Sequence, residues 1–552
     1  MPSSLSIDSP SGLKEGPYFM TIISLQFVLF FAAVYCAYSL AGCFAPEHQW
    51  KVLLVVNVAF YVLADSVPML AFIVIVGLTT WFAARTMGRM SEEAKQARKA
   101  TRDRKERKAI KERTTKKKRV VLLVALAIVL GILGYHKYWN VILYNFGFQP
   151  STSSLGILLP LGISFYTFQS IMYVIDVYND KYAPEQSPVR YLTFVSYFPQ
   201  MVQGPINRFN ELAPQLFASR RANLTSFRRG LWLTWYGVFK KMVIANVLVG
   251  NIGAIFGDVT TGIPGSAAVL GIITYSLQEY ADFSGGIDIM RGVSEMLGIE
   301  MSLNFRQPYF STSLSDFWRR WHMSLGVFMK DYLFYPLALT KPMQDFGKWG
   351  QKKLGRHLGR TLPACAANIV VFLVVGFWHG AEWHFLIWGL LNGLVIAFSD
   401  LLAPVFDRMR GALHIDAEAL PYRIFCMIRT FALVCLIRYF DVMANPVDSF
   451  ICLKNTFFNF MPMPYKDGLA MLGVNGVELY GLSRLALLGC ALVFVVSVLK
   501  ERGVDVRELL ISQQGFKGLV LRTGIICFMA AMVLAAFPYS LTTDATFAYA
   551  NF

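Results

Sequence analysis

The sequence predicts an all-α polytopic membrane protein, and three observations carry that prediction. Of 552 residues, 55% are hydrophobic and only 16% are charged, against about 25% charged in an ordinary soluble domain. The mean hydropathy of +0.46 excludes a disordered chain and a conventional cytosolic enzyme. Several apolar runs reach or approach the roughly 17–25 residues that span a bilayer, among them Tyr18–Gly42, Ser483–Leu499 and Leu519–Phe537.

Taken in order, Met1–Gly16 is polar and nearly neutral. It lacks the basic start of a cleaved leader, so Tyr18–Gly42 reads as a retained first span. Apolar segments follow at 52–64 and 68–84, and then the composition changes abruptly. Residues 85–119 hold 16 basic and 5 acidic side chains, a net +11 of the chain's formal +17. Such a stretch cannot enter hydrocarbon, and basic loops stay on the cytoplasmic side near anionic headgroups. It has no aromatic residue on which a base would stack, so nucleic acid is not an expected partner.

Further apolar segments lie at 120–134, 155–175, 231–256, 266–280, 366–377, 385–403, 424–440, 483–499 and 519–537. A second basic stretch, Lys341–Arg360, carries a net +5 and is expected on the same side as the first. No repeat of 20–50 residues is visible. The predicted organisation is therefore N-terminal spans at 1–84, a basic linker at 85–119, a core at 120–404 and C-terminal spans at 405–552. Between about 150 and 340, Pro160, Pro199, Pro205 and Pro336 interrupt the apolar runs. Broken helices are tolerated in a membrane only where protein or a water-filled cavity surrounds the freed backbone, so chemistry is sought there.

Two of the seven histidines stand out. His379 ends the apolar run 368–377 in Val375-Gly376-Phe377-Trp378-His379-Gly380, an imidazole at the end of a buried helix. His322 lies in Ser315-Asp316-Phe317-Trp318-Arg319-Arg320-Trp321-His322-Met323-Ser324. Read as one helix, this segment puts Trp318, His322 and Leu325 on one face and pairs Asp316 with Arg320. Each imidazole also has a bland reading, a hydrogen bond to a carbonyl for His379 and an interfacial amphipathic helix for His322. Each lies 19 residues from the basic stretch 341–360, which suggests comparable depth, although Pro336 and Pro363 argue against straight arms.

Other chemistries fit less well. His379, Glu382 and His384 match no zinc-helix spacing, and eight scattered cysteines without a CxxC predict no disulfide framework. No phosphate-loop or GxSxG motif occurs. Glu279 and Asp282 are spaced to face one cavity, as an acid/base pair or as partners of Arg291 or Arg319.

With these residues in view, the chain resembles the membrane-bound O-acyltransferase (MBOAT) superfamily, in the bacterial branch of alginate O-acetyltransferases and teichoic acid D-alanyltransferases. Four blocks carry the likeness, in order. They are Leu159-Pro160-Leu161-Gly162 through Gln169; Tyr197-Phe198-Pro199-Gln200 through Ile206; Asp282-Phe283-Ser284-Gly285-Gly286 with Asn304–Tyr309 and Asp316–His322; and Gly376–Gly380. The resemblance implies about eleven transmembrane helices plus re-entrant helices around a buried tunnel. It implies catalysis by His379 and His322, with Trp378, Trp318, Asp316, Arg319, Asp282 and Gln200 as candidate substrate contacts.

The activity so implied moves an acyl group, acetyl before D-alanyl, from a cytoplasmic thioester to a hydroxyl of an extracytoplasmic polysaccharide or teichoic-acid-like polymer. The donor is acetyl-CoA or an acyl carrier protein, with no permanently bound cofactor and no metal. The setting is the bacterial plasma membrane, with an extracytoplasmic acyltransferase as a candidate partner. The Gly286 that replaces a usual tyrosine, and Ala338–Pro342 in place of a glycine-rich turn, leave the acceptor open. Two rival readings remain, a lipid-linked glycan transporter with His379 as proton relay and a scaffold that passes acyl groups to a secreted transferase.

Overall fold

The computed structural model describes residues 20–64, 67–145, 160–257, 259, 262–462, 477–513 and 515–542. The start Met1–Gly16 and the first residues of the 155–175 segment, Leu159 included, lie outside them. Among the described residues no strand occurs, and eight helices are long and apolar enough to cross a membrane.

The first span, α1 (Leu25–Phe44), begins where the side chain of Ser24 accepts the N–H of Phe27 at 3.2 Å. Its 20 residues measure about 30 Å, the thickness of a hydrocarbon core. Helix α2 (Gln49–Ala64) is followed by α3 (Leu70–Ala100) and α4 (Arg104–Asn145), which pack against each other. The basic stretch 85–119 is thus two helical arms joined at 101–103. Lys118 anchors the arms to the loop after α5 (Ile163–Tyr178) through a 2.9 Å ion pair with Asp180. Burial pushes the Asp180 carboxyl up, but hydrogen bonds from Lys118 and Ser91 outweigh it and hold the group below its usual range.

The irregular middle is a set of short helices. These are α6 (Pro188–Val195), α7 (Phe198–Gln203) and α8 (Phe209–Phe217), followed by α9 (Leu224–Phe239). A π-helical turn, Lys240–Ala245, joins α9 to α10 (Asn246–Phe256). Helix α11 (Gly265–Met296) packs along α9 and is buried over most of its length. Next come α12 (Leu314–Arg320) and α13 (Met323–Met329), a second π turn at Lys330–Phe334, and α14 (Tyr335–Ala338).

The basic helix α15 (Lys341–Leu354) turns at Gly355 into α16 (Arg356–His379), and α17 (Trp383–Leu401) returns antiparallel to it. Pro363 does not break α16, contrary to the sequence expectation. It is the eighth residue, and the helix runs 24 residues, about 36 Å, from the basic end to His379. The chain closes with α18 (Ala403–Ala412), α19 (Leu420–Val442), α20 (Pro446–Phe458), α21 (Val477–Glu501), α22 (Val506–Ser512) and α23 (Gly515–Thr542).

One apolar core joins α1–α8, α11–α13, α16, α17 and α19. Leu29, Leu123, Phe398 and other large apolar side chains stay exposed on the outer helices, as a surface facing lipid requires. Two glycines let α16 and α17 meet backbone to backbone. A Cβ on Gly376 would stand 2.3 Å from the carbonyl oxygen of Phe385, and one on Gly389 2.3 Å from that of Phe372. This contact fixes the turn that carries His379.

Candidate active site

His379 occupies the last position of α16, where the N–H of Gly380 returns to the carbonyl of Gly376 at 3.1 Å. Its imidazole is buried among aromatic rings. Centroids lie 4.9 Å away at Trp378, 4.9 Å at Trp388 and 5.8 Å at Phe385, the last stacked.

His322 does not continue a helix. The segment expected as one helix breaks there, because the residue adopts φ +46°, the left-handed region, between α12 and α13. The break swings the imidazole into the core, 2% exposed, edge-on to Phe283 at 4.8 Å and 6.2 Å from the Trp378 ring. Strained backbone of this kind persists where the surroundings over-determine it. Here Asn304 does so: its carbonyl oxygen accepts the N–H of Met323 at 2.9 Å, and its side-chain oxygen accepts from the Ser324 N–H at 2.9 Å and the Ser324 hydroxyl at 2.8 Å.

The same Asn304 oxygen lies 3.2 Å from Nδ1 of His322. A backbone N–H only donates, so the atom facing Ser324 is the amide oxygen, and Nδ1 of His322 must carry the proton. The neutral imidazole then has its lone pair on Nε2.

The four sequence blocks converge here. Phe168 of the first stacks on Phe328 at 4.3 Å and lies 5.8 Å from Trp378. In the second, Ile206 donates its N–H to the Ser324 hydroxyl at 3.1 Å. The third supplies Asn304, Phe283 and His322, and the fourth Trp378 and His379. The two imidazoles therefore share one indole.

The remaining candidates divide. Trp318 donates its indole N–H to Asn392 at 3.1 Å and lies edge-on to Trp388 at 5.5 Å, beside His379. Asp316 pairs with Arg320 at 3.2 Å, as the i,i+4 spacing predicts. Arg319 points away, its side chain 70% exposed. Gln200 is buried in an amide network with Gln169, Asn207 and the Phe194 carbonyl, tying the first block to the second. Asp282 pairs with Lys241, and Glu279 with Arg438 at 2.8 Å. Neither takes Arg291 or Arg319, because the π turn and α19 bring closer cations. Glu279 and Arg438 line a cavity with Trp318, Trp321, Trp388 and Asn392, whereas Asp282 turns to the π turn instead.

Two residues at the site escape sequence reasoning. Asn304 stood in the third block without an assigned role. Lys137, near the end of α4, reaches the same indole: its ammonium donates to the Trp378 carbonyl and lies 4.9 Å from the ring centroid.

Residues 184–348 and 352–448 match the model of the MBOAT, membrane-bound O-acyltransferase, family. Over 290 residues the chain is 37% identical to the probable alginate O-acetylase of Azotobacter vinelandii, covering 51% of this chain and 54% of the relative. It is 34% identical over 310 residues to the peptidoglycan O-acetyltransferase of Helicobacter pylori, covering 51% and 55%. Against the teichoic acid D-alanyltransferase of Streptococcus thermophilus it is 26% identical over 253 residues, covering 44% and 56%. The chain thus spans about half the length of the curated relatives it matches. The matched residues hold both imidazoles, Trp378 and Asn304, and across that segment the chain is similar to the membrane-bound O-acyltransferase family.

Proposed function

We propose that this protein is a membrane O-acyltransferase that moves an acyl group, acetyl before D-alanyl, from a thioester to a hydroxyl of a surface polysaccharide or cell-wall polymer. The observation that carries the reading is the pair of buried imidazoles on the Trp378 ring, inside the family-matched segment. An alcohol is a weak nucleophile at neutral pH, and a placed imidazole removes its proton as attack begins. His379 takes that proton while the hydroxyl oxygen bonds to the thioester carbonyl carbon. The C–S bond then breaks, and the proton passes to the leaving thiolate. His322, held by Asn304 with its lone pair on Nε2, orients the reactants or relays that proton. Burial among indoles excludes water, which would otherwise hydrolyse the thioester.

The donor is acetyl-CoA or an acyl carrier protein, both anionic. The basic side chains of α15 and of the start of α16 are exposed on the face where the positive-inside rule places the cytoplasm, and His379 lies at the far end of α16. A thioester entering from the basic side thus meets a polymer arriving from the other, in a bacterial plasma membrane. Purified protein supplied with labelled acetyl-CoA and polymer should form an ester. His379→Ala should abolish the product while leaving the melting temperature in detergent unchanged; normal ester formation by that variant refutes the assignment.

A further inference from the structure

The site contains a cation that this mechanism does not use. Lys137 lies in α4, outside the family-matched residues 184–448, in the stretch that follows the apolar run 120–134. A lysine there ordinarily snorkels its ammonium toward the membrane surface. Instead Lys137 is half-buried, donates to the Trp378 carbonyl and holds its ammonium 4.9 Å from the Trp378 ring centroid. The next residue, Tyr138, stacks on Phe377 at 4.4 Å. The end of α4 therefore grips the last turn of α16 at two successive residues.

That turn needs a grip. The last four carbonyls of a helix have no intrahelical partner, and the partial negative charge gathered there favours a cation. Gly380 serves the Gly376 carbonyl, and Lys137 serves that of Trp378. Both imidazoles lie against the Trp378 ring, so a group holding its carbonyl and its ring together sets how the imidazoles face each other.

We infer that Lys137 is a positioning residue for the two imidazoles, capping α16 from a helix outside the family-matched segment and fixing Trp378 between His322 and His379. The inference rests on the acyltransferase reading for its kinetic consequence and on geometry alone for its structural one. Misplacing a reacting group by about 1 Å costs about 100-fold in rate, and groups that orient catalytic residues are worth about 10- to 100-fold.

The test uses the full chain in vesicles, supplied with acetyl-CoA and the polysaccharide fraction of its own cells. Lys137→Met should lower kcat about 10- to 100-fold with the KM for acetyl-CoA within about twofold, and with an unchanged melting temperature. Lys137→Arg, which keeps the charge and the donors, should recover to within about threefold of the parent. A second readout needs no turnover: diethyl pyrocarbonate should modify His379, followed by peptide mass spectrometry, at least about threefold faster in Lys137→Met than in the parent or Lys137→Arg. Parental kcat or parental labelling in Lys137→Met overturns the inference, as does a melting-temperature loss that Lys137→Arg does not restore. If the parent makes no ester, the acyltransferase reading fails by itself, and the labelling alone decides the role of Lys137.

Discussion

Asn304 and His322 are joined by a 3.2 Å hydrogen bond that settles which imidazole nitrogen carries the proton. The oxygen that receives Nδ1–H also receives two donors from Ser324, so one side chain sets both the strained backbone and the tautomer. Asn304→Leu should therefore lower kcat about 10- to 100-fold. Asn304→Asp keeps the acceptor and should retain more activity than Asn304→Leu. Equal turnover in the two variants would remove the tautomer from the account; initial-rate kinetics on purified protein distinguish the outcomes.

Glu279 and Arg438 form an ion pair whose side chains are only 8% and 5% exposed. Tyr309 bonds the guanidinium at 2.8 Å and Trp321 lies under it at 4.6 Å. Removing one partner strands the other charge, so Arg438→Met should destabilise the protein by about 3–5 kcal/mol. The double variant Glu279→Gln/Arg438→Met should recover most of that loss. Thermal melting in detergent reads both, and a double variant no more stable than the single one would show that the pair is not coupled.

Gly376→Ala puts a methyl group 2.3 Å from a carbonyl oxygen of α17. The two helices must part, at a cost of about 1–3 kcal/mol, and ester formation should fall because His379 lies one turn further on. Gly411→Ala, where a Cβ meets nothing within 4 Å, serves as the control and should melt at the parental temperature or above it.

The basic side chains from Lys341 to Arg360 are exposed. Replacing them with Ser should raise the donor KM and flatten its dependence on salt, since steering by exposed charges weakens as ions screen them. Unchanged values at low and at high salt would remove donor docking from the proposal.

Arg319, a candidate contact by its place in the third block, is 70% exposed on α12. Arg319→Ala should leave kcat/KM within about twofold of the parent, whereas Trp318→Ala, one residue earlier, should not. Steady-state kinetics of the two variants check the contrast.

The helical class and the residues around the site were legible in the sequence for different reasons. Apolar runs of span length report a solvent, so α1, α16 and α23 could be read from composition. Blocks such as Trp378-His379-Gly380 report chemistry, so both imidazoles could be found. The break at His322 could not, because the stripe through Trp318 and His322 satisfies a helical period as well as a broken one; what decides is Asn304, distant in sequence and bonding across the break. Lys137 was hidden because an apolar helix ending in a lysine has the same local pattern whether the ammonium reaches water or a neighbouring carbonyl. The partners of Glu279 and Asp282 were misjudged for a like reason: nearby arginines look adequate until folding brings up Arg438 and Lys241.

The π turn at Lys240–Ala245 aims two consecutive lysines at one helix, Lys240 at Ser284 and Asp288 and Lys241 at Asp282. It accommodates one residue more than regular winding would hold. Deleting Lys240 or Lys241 would restore ordinary winding with α9 and α10 still in phase, but only one lysine would then face α11 and one carboxylate there would be stranded. Exchange of either lysine for an uncharged residue strands the same carboxylate, so the length of this turn and its two lysines are constrained together, and a homologue shortened here would have to rebuild its contact with α11.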